Sequence, residues 1–133
     1  KIDSYEHTTE FGNRNKDTVA EFLKDSYEGN IDENYNLSNG YSYIFVTMTY
    51  TNNTDEQVEI LRNAGTFYII KDDLERLQVG DPGGIYIDKL LDRRQRKRDI
   101  SLCTWCRRSV TSEVGYIFRM NGCQKTLSIF IIV

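Results

Sequence analysis

What this chain of 133 residues lacks narrows its chemistry first. It has one histidine (His7), one proline, one tryptophan and three cysteines. A single histidine leaves a histidine-dependent nucleophile triad with one candidate, and no Gly-x-Ser-x-Gly elbow accompanies it. Three cysteines, Cys103, Cys106 and Cys123, cannot form a fully paired disulfide framework. No run of apolar residues approaches the roughly 18 needed for a membrane-spanning helix. The glycine-rich segment 80–84 is not followed by Gly-Lys-Ser/Thr, so it is not a phosphate loop. No sustained helical period and no internal repeat appear. Charge is mild: 17 basic and 20 acidic residues give a net charge of -3, too little to identify a partner. The opening Lys1-Ile2-Asp3-Ser4 reads as a mature chain from which an address has been removed.

What is present is β chemistry. Residues 41–53 run Tyr-Ser-Tyr-Ile-Phe-Val-Thr-Met-Thr-Tyr-Thr-Asn-Asn, rich in β-branched and aromatic side chains, with no glycine, proline or charge. Alternation puts Ile44, Val46, Met48 and Tyr50 on one face and Tyr43, Phe45, Thr47 and Thr49 on the other. The first face should be core. The second begins aromatic and ends in threonines, so it should begin covered and end wet.

In chain order, residues 1–16 read as a polar arm with one short pairing segment. Residues 17–29 fit two patterns. Val19, Phe22, Leu23 and Tyr27 lie at helical spacing, with Asp17 as N-cap and Gly29 as stop; residues 18–23 also fit a strand followed by one helical turn, the reading preferred here. Asn39-Gly40 signals a tight turn into the long strand, and residues 52–56 a turn out of it. Further strands are expected at 57–61, 66–70, 85–87, 100–105, 110–118 and 126–133, with an irregular segment around Leu74, Leu77 and Val79. The expected fold is a single all-β domain over 1–133, an immunoglobulin-like β-sandwich of about seven or eight strands, with room for one short N-terminal helix.

The run from Tyr43 to Glu56 resembles a segment of the telokin-like, immunoglobulin-like domains of small lipoproteins and secreted proteins of Gram-positive bacteria, a family without assigned function. Those domains often carry V-T-V-T-Y-T-N-N-T-D-E, then an aromatic-rich strand and an acidic turn, here matched by Phe67 to Asp73, and a late strand matched by Val114 to Phe118. The resemblance covers about residues 37–118. It implies a secreted or lipid-anchored extracytoplasmic location, with any membrane association through a removed lipid anchor, and no transferable site. The chain departs from the family after residue 88, where all three cysteines, Trp105 and the densest basic run fall.

Three constellations remain as candidate chemistry. Cys103-Thr104-Trp105-Cys106 is a C-x-x-C; with Cys123 and His7 it reaches the four ligands of a structural zinc site only by arithmetic. In a strand, Cys103 and Cys106 lie about 10 Å apart by strand rise, too far for a disulfide. Buried or idle thiols are the plainer reading, and no cofactor is expected. Arg93, Arg94, Arg96, Lys97 and Arg98 form the strongest charge feature: residues 89–108 hold eight basic and two acidic residues, net +6, against -9 for the rest of a chain whose total is -3. These five are the candidate binding residues for an anion; a solvated hairpin tip is the plainer reading, and a sequence pI of about 5.2 does not favour nucleic acid. Paired carboxylates at 32–33, 55–56 and 72–73 lack the spacing of a calcium loop and read as turns. Nine tyrosines exceed what a small core requires; they either line a carbohydrate or peptide surface or fill strand pairs and covering loops. The functional expectation is a non-enzymatic binding or structural module whose partner is a protein, a peptide or a cell-envelope component.

Overall fold

A computed structural model describes residues 1–56, 58–61, 68–70, 76–78, 84–88, 101–104 and 109–119; the strands within 58–78 and 101–104 are described through backbone pairing alone. The strands are β1 (Ile2–Thr8), β2 (Tyr41–Thr51), β3 (Val58–Leu61), β4 (Tyr68–Ile70), β5 (Arg76–Gln78), β6 (Tyr86–Ile87), β7 (Ser101–Thr104) and β8 (Ser109–Arg119). A one-turn helix, α1 (Leu23–Ser26), lies between β1 and β2. β1, β2, β8 and β6 form a four-stranded antiparallel sheet in the order β1-β2-β8-β6. β3 pairs with β7 and β4 with β5, both antiparallel. The described chain is therefore mostly β, with almost no helix.

β2 and β8 are the spine. Each has 11 residues, and they pair without a register break from Tyr41↔Arg119 to Thr51↔Ser109. Because side chains alternate, one face of this pair gathers Ile44, Val46 and Met48 with Val114, Tyr116 and Phe118, all at most 5% exposed, and Tyr50 packs partly buried against them. The opposite face gathers Tyr43, Phe45 and Ile117. The aromatic start of that face is buried, whereas Thr47 and Thr49 are half-buried and Thr51 is exposed. The alternation read from the sequence is the observed one on both faces.

The second face is dry only where residues 9–40 cross it. Phe11, Val19, Leu23 and Leu37 are buried against Tyr43, Phe45, Tyr86 and Ile117. The crossing reaches the far edge of the sheet, where Val19 makes an isolated antiparallel bridge to Tyr86 and the Ala20 N–H donates to the Ile85 carbonyl (2.8 Å). It returns to β2 through a turn in which Asn39 (φ 56°) and Gly40 (φ 85°) are left-handed, the conformation a two-residue hairpin turn requires. Segments 9–11 and 36–37 are tied together: the Phe11 N–H donates to Asn36 Oδ1 (3.1 Å) and the Leu37 N–H to the Thr9 carbonyl (2.8 Å). Tyr35 is held left-handed (φ 66°), its carbonyl accepting from the Tyr43 hydroxyl (2.6 Å).

Several expectations are revised. The segment 1–16 is more than an arm: its first half is a seven-residue edge strand with a bulge between Ile2 and Ser4. In residues 17–29 neither pattern is complete. A short 3₁₀ turn over Lys16–Thr18, capped by Asn15 and not Asp17, leads to the single bridge at Val19 and then to the helical turn. Phe22, expected on the buried face, is 46% exposed. Leu77 belongs to a regular strand pair. The last expected strand, 126–133, lies outside the described residues.

Candidate functional site

The candidate site lies where the covered half of the second face gives way to the hydroxyl half. Phe45 marks the border. Its ring lies over the β8 backbone at Gly115, where a Cβ would stand 2.8 Å from Phe45 Cε1, so glycine is required by the close approach. Tyr43 stacks beside it (5.0 Å between centroids), Tyr86 meets it edge-on (5.7 Å), and Phe11 closes the cluster (6.0 Å). The Arg14 guanidinium then lies on the Phe45 ring, 3.4 Å from its centre.

Arg14 is held from every side. Its Nη1 donates to the Phe11 carbonyl (3.0 Å), its Nε and Nη2 form a fork on the two oxygens of Glu113 (2.7 and 3.2 Å), and Nη2 also meets Glu6. Burial works against the guanidinium charge, and the two carboxylates outweigh it, so the Arg14 pKa is raised. Beside this group, Asp88 Oδ1 accepts from the Ser112 hydroxyl (2.6 Å) and the Glu113 N–H (3.0 Å). Asn13, Arg14, Thr47, Asp88, Thr111 and Glu113 line an open cleft of about 540 Å³. Beyond it the sheet carries a hydroxyl ladder. Thr49 and Thr111 are paired across the strands at 2.8 Å, as are Thr51 and Ser109 (2.8 Å), and Asp3 accepts from Thr49 (2.5 Å). The Thr49 hydroxyl, followed by Lys1, holds the Asp3 carboxyl below its usual range. At the dry margin, burial pushes the Tyr86 phenol up to about 12, helped by the negative charges of Glu113 and Asp88.

Such a cleft can receive a polar ligand; it is not poised for proton transfer. Its charged side chains are already engaged with one another or with backbone, and its hydroxyls are paired. Among the described residues no group of three or more metal-binding side chains converges.

Of the residues singled out from sequence, Arg93, Arg94, Arg96, Lys97 and Arg98 lie outside the described residues, as do Cys106, Cys123 and Trp105. Cys103 is a strand residue opposite Glu59 in the β3–β7 pair. His7 is on the exposed edge strand, its Nε2 2.7 Å from the Ser42 hydroxyl. Asp32 is a turn residue: its carboxylate accepts from the Asn34 and Asn36 N–H groups (each 2.8 Å) and from the Asn36 amide (3.0 Å). The backbone of Asn36 leads in holding the Asp32 pKa low. Of the tyrosines whose side chains are described, Tyr5 alone is exposed; Tyr43, Tyr86 and Tyr116 are buried and the others half-buried, so they fill the core and the covering loop. Arg14, Glu6, Asp88 and Glu113 were not legible as a group. Arg14 and Glu113 are 99 positions apart, and no local motif links them.

Comparison with protein-family models, curated proteins and solved structures returned no match.

Proposed function

We propose that this chain is a non-enzymatic binding or structural module that acts outside the cytoplasm, secreted or lipid-anchored, and engages a protein, peptide or cell-envelope component through the hydroxyl half of its four-stranded sheet. The observation that carries the reading is the pre-paired border around Arg14. A surface whose charges are locked to each other and whose hydroxyls stand in cross-strand pairs is rigid before a ligand arrives, which lowers the ordering cost of binding. The proposal extends to an immunoglobulin-like sandwich related to the telokin-like domains. The Ile44–Val46–Met48 face is buried, and a buried sheet face needs a second layer. In this reading the β3–β7 and β4–β5 pairs supply it.

The test is a pulldown and a titration against envelope fractions, comparing the native chain with a Thr49→Arg/Thr111→Arg double variant. Retention by the native chain and its loss in the variant supports the reading. Turnover in a broad hydrolase screen that disappears in Asp88→Asn or Glu113→Gln overturns it.

A further inference from the structure

The open edge of the main sheet is β1, and its features are those of a self-association surface. All of residues 2–7 are exposed, and β1 pairs with β2 on one side only among the described residues. In an antiparallel edge strand, alternate residues direct N–H and C=O away from the partner, leaving a row of unpaired donors and acceptors. Three large apolar side chains are exposed among the described residues, and two stand on this strand: Ile2 (44%) and Tyr5 (67%). Register places both on the face of Met48 and Val46.

The devices that normally guard such an edge are weak here. β1 holds no proline and no lysine within its bounds. Its charges are already matched inside the chain: Asp3 by Lys1 and Thr49, and Glu6 by Arg14. Only the bulge at Asp3 interrupts it, leaving residues 4–8 regular.

We propose that two copies of this chain pair β1 to β1 in antiparallel fashion about a two-fold axis at Tyr5, joining their sheets into one. The sequence of the strand selects this register. A two-fold axis perpendicular to the sheet must pass between a residue and its own copy. Centring on Tyr5 sets the two Tyr5 rings side by side, Ser4 against Glu6, and Asp3 against His7, with no like charges opposed. Centring on Glu6 sets two carboxylates against each other. Centring on Ser4 puts Ile2 against Glu6 and leaves Tyr5 facing Asp3. Aromatic pairs directly across strands are favourable and like charges unfavourable. A contact this short falls below the roughly 1,000 Å² of a stable interface, so the dimer is weak and concentration-dependent.

Sedimentation velocity from micromolar to millimolar protein, with amide hydrogen exchange across the same range, tests this. The native chain should shift from monomer toward dimer, and protection should grow in β1 as concentration rises. Tyr5→Lys, which opposes two cations at the axis, should weaken association roughly tenfold or more, while Tyr5→Phe retains it. A chain that remains monomeric to millimolar, a dimer indifferent to Tyr5→Lys, or a monomer whose β1 becomes protected only when an extended peptide is added overturns the proposal. The exchange measurement needs no variant, so it decides even if Tyr5→Lys fails to fold.

Discussion

At the Tyr43 end of the β2–β8 pair, the second face of the sheet is dry, aromatic and crossed by residues 9–40. At the Thr51 end, on the same face of the same strands, it is wet and hydroxyl-bearing. The backbone does not change between the two ends; the side chains and their covering do. Tyr43 and Phe45 present ring surface that must be taken out of water, and the crossing segment does this with Phe11. Thr47, Thr49 and Thr51 satisfy one another across the strands and need no cover. Arg14 ends the dry region because its guanidinium is flat enough to lie on Phe45 and charged enough to hold the carboxylates at the water's edge. A single strand can thus serve as core at one end and binding surface at the other.

The contrast predicts unequal costs. Phe11 is fully buried and touches the rings of Tyr35, Tyr43, Phe45 and Tyr86. Phe11→Ala should therefore cost about 3–5 kcal/mol in urea denaturation; a loss below about 1 kcal/mol would show that the dry end does not depend on its cover. The buried phenols make the dry end sensitive to alkali. Tyr86 is raised to about 12, and burial raises Tyr43 and Tyr116 in the same direction. Their unfolded value is about 10, so above that pH the unfolded chain releases protons that the folded chain keeps. Stability is full below about pH 10 and falls as pH rises toward about 12. Tyr86→Phe should flatten that fall in urea midpoints measured along the pH series, and an unchanged slope would assign it to other groups.

At the border, Arg14→Ala leaves Glu113 without its fork and uncovers Phe45. A loss of about 1–3 kcal/mol is expected, and a double-mutant cycle with Glu113→Gln should show coupling; strict additivity would mean that the fork contributes nothing. The smallest effect belongs to the wet end. Thr49→Val removes a hydroxyl pair that water can replace, so stability should move by no more than about 0.5 kcal/mol. A larger loss would make the hydroxyl ladder part of the fold and not a surface on it.

How much of this was legible follows from the range of each interaction. The long strand, its two faces, the Asn39-Gly40 turn and the drying-to-wetting gradient are all written within about ten consecutive residues, where period and turn chemistry act. The edge strand β1 was underestimated because an exposed strand has no hydrophobic alternation to announce it: its side chains face water whether or not its backbone is paired. Residues 17–29 carried a helical spacing that was only partly realised. Val19 is taken by the far edge of the sheet through its bridge to Tyr86, and one helical turn is what remains. The candidate cleft was not legible at all, since Glu6, Arg14, Asp88 and Glu113 meet only after three strands and a crossing segment have come together.

The sequence by itself determined that β2 would be a strand, which of its side chains face each way, and where its second face would turn from apolar to polar; side-chain alternation and apolar content decide these locally. Only the tertiary structure decided what covers the aromatic half, which arginine stops the covering, and which edge of the sheet is left open. Each of those depends on contacts between distant residues, and such contacts exist only once the chain has closed on itself.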